Sequence, residues 1–115
     1  MATVRLRLPP FLLALAGACA SPTLPLPPPE APTLEAGADV DHIKLVAGCG
    51  GAESNAVIVI VNLNPAVSGD MAVSGALANN CGAWDAVVFA HSGDTIDITQ
   101  EFGETRSPPA VVQVP

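Results

Sequence analysis

From about residue 40 the chain breaks into short apolar runs separated by clusters of Gly, Asn, Ser and Pro, and no run keeps a helical period. This spacing predicts an all-β domain. In Val40–Val46, Ile43 and Leu45 stand among the polar Asp41, His42 and Lys44, which reads as a strand. Ala56–Val61 contains five consecutive β-branched residues, Val57 to Val61, which crowd a helix but suit a pleat, and its apolar side chains on both faces predict a central strand. In the next run Met71, Val73, Gly75 and Leu77 alternate with Ala72, Ser74 and Ala76, so one of the two faces is expected to be buried. Trp84, Ala86, Val88 and Ala90 are expected inward, opposite Asp85, Val87 and a partly covered Phe89. Ile96 and Ile98 alternate with Thr95, Asp97 and Thr99 as in a half-buried strand, and Ala110–Val114 follows the Pro108-Pro109 corner as an edge strand. Together these predict a single β-sandwich of about six or seven antiparallel strands.

The N-terminus differs in kind. Residues Met1–Ala20 read as an export signal: Arg5 and Arg7 make a basic front, Phe11–Ala16 an apolar stretch, and Gly17 and Ala18 are small. Pro9-Pro10 leaves the apolar stretch far shorter than the roughly 20 residues that span a bilayer. Leu15-Ala16-Gly17-Ala18-Cys19 resembles a bacterial lipobox, with Ala16 where that family most often has Leu. The resemblance implies cleavage before Cys19, lipidation of Cys19 and attachment to a membrane. Ala18-Cys19-Ala20 also satisfies an ordinary small-x-small site, which would release a secreted protein. The expected organisation is a signal peptide over 1–18, a lipid-anchored Pro-rich linker over 19–38 and a domain over 39–115. Ser21–Pro32 carries Pro22, Pro25, Pro27, Pro28, Pro29 and Pro32, and as an extended polyproline II segment it would hold the domain roughly 40 Å from a surface.

The odd count of 3 Cys fits this division. With Cys19 lipidated, Cys49 and Cys81 remain to pair in an oxidising compartment, and two traverses of an antiparallel fold bring them to the same end. Closing the 33 residues from Cys49 to Cys81 would stabilise the domain by about 3 to 4 kcal/mol. A shared metal site is the alternative, but no further Cys or His stands at ligand spacing. The whole chain has a formal charge of −7; loss of Arg5 and Arg7 leaves Lys44 and Arg106 against eleven acids. That balance excludes nucleic acid as a partner.

Val46–Ala52, Asn55–Asn62, Asn79–Trp84, Ser92–Ile96 and Ser107-Pro108-Pro109 with Val111–Val114 together resemble the bacterial immunoglobulin-like domains over about residues 40–115. The resemblance implies a β-sandwich serving as scaffold or binding module, without chemistry of its own. Cys81 stands where that family usually has Asp, and the family commonly lacks a disulfide, so Cys49 and Cys81 look like a paired local addition.

Residues with catalytic or ligating chemistry are few. His91-Ser92-Gly93-Asp94 contains the residue types of a hydrolase triad, but neighbours in a tight turn rarely converge on one reacting atom. Gly50-Gly51 lacks the helix start and basic residue of a phosphate loop. Asp39, Asp41, Asp94 and Asp97 are the only calcium candidates, in a pattern that matches no EF-hand and reads more readily as solvated faces. Trp84 is expected in the core, and Phe102 near Gly103 is the better exposed aromatic. No catalytic residue, metal site or cofactor is therefore assigned. The functional expectation is a non-catalytic cell-envelope lipoprotein with a structural or protein-interaction role. The alternative is a secreted module binding calcium or carbohydrate.

Overall fold

Five consecutive β-branched side chains hold Val57–Asn62 extended, and this strand forms the middle of the larger of two antiparallel sheets. The computed structural model describes residues 25–115, so the lipobox-like segment and Cys19 lie outside the described residues. The elements are β1 (Thr33–Ala36), β2 (His42–Ala47), β3 (Val57–Asn62), a helical turn α1 (Gly69–Ala72), β4 (Val73–Leu77), β5 (Trp84–Phe89), β6 (Thr95–Phe102), β7 (Thr105–Arg106) and β8 (Ala110–Gln113). One sheet has the order β1-β2-β5. The other has the order β4-β3-β6, with β7 and β8 both on the far side of β6. The sheets pack into a sandwich around Leu45, Ile58, Ile60, Trp84, Val88, Ile96 and Ile98.

The register fixes what faces inward. Ile58 and Ile60 are buried, and their cross-strand partners on β6, Gln100 and Ile98, lie on the same inner face. Trp84, Ala86 and Val88 point inward from β5, and Phe89 is half-covered on the outer face, as the alternation predicts. On β4 the buried face is the one of small residues. Ala76 and Ser74 oppose Ile58 and Ile60, so they share the inner face, while Val73, Gly75 and Leu77 point outward. Met71 falls in α1 instead of the strand.

Two features lie beyond the expected scheme. The expected domain start at residue 39 falls in the turn after β1, whose four residues pair with β2 from Thr33↔Val46 to Ala36↔Ile43; the linker reading of 33–38 is corrected accordingly. The eight strands among the described residues include β7, only two residues long, because Pro108 and Pro109 follow it and Ser107 keeps the ladder to β6 closed. The Ser107 N–H donates to the Gln100 carbonyl at 2.9 Å, and the Gln100 N–H donates to Ser107 Oγ at 3.0 Å.

Candidate functional site: the two ends of the sandwich

Antiparallel strands gather their loops at two ends. At the first, the β2–β3 loop meets the β4–β5 loop. Cys49 and Cys81 are joined by a disulfide, with their Cα atoms 4.8 Å apart. The Gly50 N–H donates to the Cys81 carbonyl at 2.6 Å, and the Ala52 N–H to the Gly82 carbonyl at 3.0 Å. Gly82 has φ +85°, and a Cβ there would sit 2.1 Å from the Ala52 carbonyl oxygen, so only glycine allows the two loops to approach this closely. Asn79 orders the turn, its side-chain oxygen accepting the N–H groups of Cys81 and Ala83, both at 3.0 Å. Gly50-Gly51 is thus a structural crossing of two loops.

The Pro-rich segment docks at this end. Leu26, Pro29 and Pro32 are buried. The Glu30 N–H donates to the Gly51 carbonyl at 2.9 Å. Gln100, 2% exposed, reaches both partners: its Nε2 donates to the Pro27 carbonyl at 2.7 Å, and its Oε1 accepts the Glu53 N–H at 2.6 Å. A proline-rich strand has few N–H groups and exposes its carbonyls, so an amide side chain that offers a donor on one side and an acceptor on the other suits it. Residues 25–32 therefore pack on the folded unit, and the spacer reading is corrected for this stretch.

The opposite end is organised by Asp94, 5% exposed. Its carboxylate accepts Asn62 Nδ2 at 2.9 Å, Asn64 Nδ2 at 2.8 Å and the His91 backbone N–H at 2.9 Å. These bonds hold its pKa below the ordinary carboxylate value, the Asn62 amide contributing most and the His91 N–H next, against the opposing effect of burial. Asn62 Nδ2 also donates to the Phe89 carbonyl at 2.9 Å, and the Asp94 main chain accepts from the Val114 N–H at 2.9 Å. Asp94, just ahead of β6, thus ties together strand ends, its carboxylate reaching those of β3 and β5 and its main-chain carbonyl that of β8.

On the outer face nearby, Asp39 Oδ1 lies 2.8 Å from His42 Nδ1 and Asp41 Oδ1 lies 2.8 Å from His91 Nε2. The His42 hydrogen bond lowers the Asp39 pKa. The Phe89 ring meets both imidazoles edge-on, at centroid distances of 5.7 Å and 5.0 Å.

The residues singled out from sequence fall as follows. His91, Ser92 and Asp94 do not converge, because the Asp94 carboxylate faces amides and the His91 ring bonds Asp41. Asp39 and Asp41 each pair with a histidine, Asp94 is buried, and Asp97 lies on the outer face of β6 between Val61 and Val111, so the four are not gathered. Among the described residues no group of three or more His, Cys, Asp or Glu is arranged to hold a metal ion. Trp84 is 4% exposed, its Nε1 unpaired, and Phe102 is 49% exposed at the end of β6. Sequence reasoning missed Gln100, Asn62 and Asn64. The Asn62-Leu63-Asn64-Pro65 string carries a turn signal, since Asn62 Oδ1 accepts the Asn64 N–H and Asn64 Oδ1 the Ala66 N–H, both at 2.9 Å. A scan against protein-family models and searches of curated proteins and of solved structures find no significant match to this chain.

Proposed function

We propose that this chain is an exported, non-catalytic envelope lipoprotein, held to a membrane through Cys19, whose immunoglobulin-like sandwich presents its far loops to a protein partner. The observation that carries the reading is the docked Pro-rich segment. It makes the chain leave the sandwich at the disulfide end, beside Gly51 and Gln100. The residues between Cys19 and Leu24 can span at most about 20 Å, so a lipid on Cys19 would keep the disulfide end close to the surface. The Asp94 end, with His42, Phe89 and His91 on its outer face, would then point away from it. The strand order β1-β2-β5 against β4-β3-β6-β8, with chain crossings between sheets after β2, β4 and β5, supports the immunoglobulin-like part of the reading.

Fractionation of cells of a bacterial host expressing the full chain tests this. The wild type is expected in the membrane fraction and in the detergent phase of a two-phase extraction, and Cys19→Ser in neither. Wild-type protein released to the medium without acyl chains would overturn the proposal in favour of a secreted module.

A further inference from the structure

Strand β4 closes one side of the larger sheet, and among the described residues no strand pairs with its outer edge. The Ala78 N–H donates to the Ala56 carbonyl at 2.9 Å, and in an antiparallel ladder such bonded pairs recur every second residue. Ser74 and Ala76 therefore turn their backbone groups toward β3, and Val73, Gly75 and Leu77 turn theirs toward the free edge. The side chains of these same three residues form the outer face, where Val73 is 54% and Leu77 69% exposed. Val57, 46% exposed, lies beside Leu77 and extends this apolar strip across β3.

The other edges carry the features that block strand addition. β1 contains Glu35 and follows Pro32, β5 contains Asp85, β7 contains Arg106, and β8 is bracketed by Pro109 and Pro115. β4, Val73-Ser74-Gly75-Ala76-Leu77, has neither charge nor proline.

We infer that β4 is the site of self-association, pairing antiparallel with β4 of a second copy about a two-fold axis at Gly75. The sequence of the strand is complementary to itself in that register: Val73 opposes Leu77 of the partner, Gly75 opposes Gly75, and all three are edge-facing residues, so every pair exchanges two N–H···O bonds. The apolar strip then runs unbroken through four strands. The net acidity of the chain does not oppose this contact, because the acids on this face, Asp97 and Glu101, lie on β6. Across the axis, β6 and its counterpart are five strand spacings apart, about 24 Å, well beyond the screening length of about 8 Å at physiological salt. An interface made by one strand edge is smaller than the standard protein contact, so a weak dimer is expected, with Kd of order 0.1 mM.

The inference does not depend on how Cys19 is processed, and Cys19→Ser serves as the background. Sedimentation velocity of the full chain from about 5 µM to 1 mM should show a concentration-dependent monomer–dimer shift. Leu77→Lys places a charge at the edge, and Gly75→Pro removes an N–H that β3 does not use; each should raise Kd at least tenfold. Val111→Lys, on the same outer face but at the opposite edge of the sheet and also exposed, should leave Kd unchanged. A wild type that stays monomeric to 1 mM, or a Val111→Lys effect equal to that of Leu77→Lys, would overturn the proposal.

Discussion

Replacing both Cys49 and Cys81 by Ser removes a cross-link between residues 32 apart in sequence. For a closed loop of that length the chain-entropy relation gives about 12.4 cal/mol/K, or about 3.7 kcal/mol at 25 °C. The described unit of 91 residues has an unfolding entropy near 0.19 kcal/mol/K at its midpoint, so the loss corresponds to a fall in Tm of about 20 °C. The native loops need not move, because the Gly50, Ala52 and Asn79 backbone bonds already join them. The variant should therefore keep its near-ultraviolet circular dichroism, unfold cooperatively at the lower temperature and show a larger urea m-value, since its unfolded chain is more expanded. Thermal and urea melts followed by circular dichroism measure all three. A Tm within about 5 °C of wild type would refute the reasoning, because it would mean that the cross-link does not restrict the unfolded chain.

Other consequences follow from individual side chains. Asp94→Ala removes the acceptor shared by Asn62, Asn64 and His91, of which the Asn62 contact is buried, and should cost about 1–3 kcal/mol in urea denaturation, with Asp94→Asn costing less. Because the Asp94 pKa is depressed by folding, its contribution is present above the unfolded carboxylate value near 3.9 and is lost as pH falls below it; the acid midpoint of Asp94→Asn should be correspondingly less steep. Gln100→Leu removes the bond to the Pro27 carbonyl and the bond from the Glu53 N–H, loosening the Pro-rich segment, and the Glu30 amide should exchange hydrogen at least tenfold faster while the amides of β3 stay protected. Gly82→Ala forces a Cβ onto the Ala52 carbonyl and should slow oxidation of Cys49 with Cys81, read as free thiol after refolding, besides lowering Tm.

The strands that were legible in the sequence are those whose large apolar residues all point one way. Ile96 and Ile98 against Thr95, Asp97 and Thr99 left no doubt about the inner face of β6, and Trp84, Ala86 and Val88 did the same for β5. In β4 the alternation revealed two faces, but their burial was decided by the register against Ile58 and Ile60. β1 has a single sizeable apolar residue, Leu34, after a run of prolines, and its pairing depends on β2 rather than on its own pattern. Gln100 and Asn62 are polar residues at inward positions, where hydrophobic periodicity predicts apolar ones; they are held by partners 73 and 32 residues away in sequence, beyond any local pattern. The Cys49–Cys81 pairing was legible only once the lipobox resemblance had set Cys19 aside, after which two antiparallel traverses place Cys49 and Cys81 at the same end.

The central claim is that three thiols serve two purposes, a tether at Cys19 and a clasp between Cys49 and Cys81. Intact mass spectrometry of the full chain recovered from bacterial membranes, before and after reduction, reads both. The account predicts a species lacking residues 1–18, heavier than the remaining polypeptide by its acyl groups, that gains two hydrogens on reduction. An unmodified Cys19, or a mass unchanged by reduction, would contradict it.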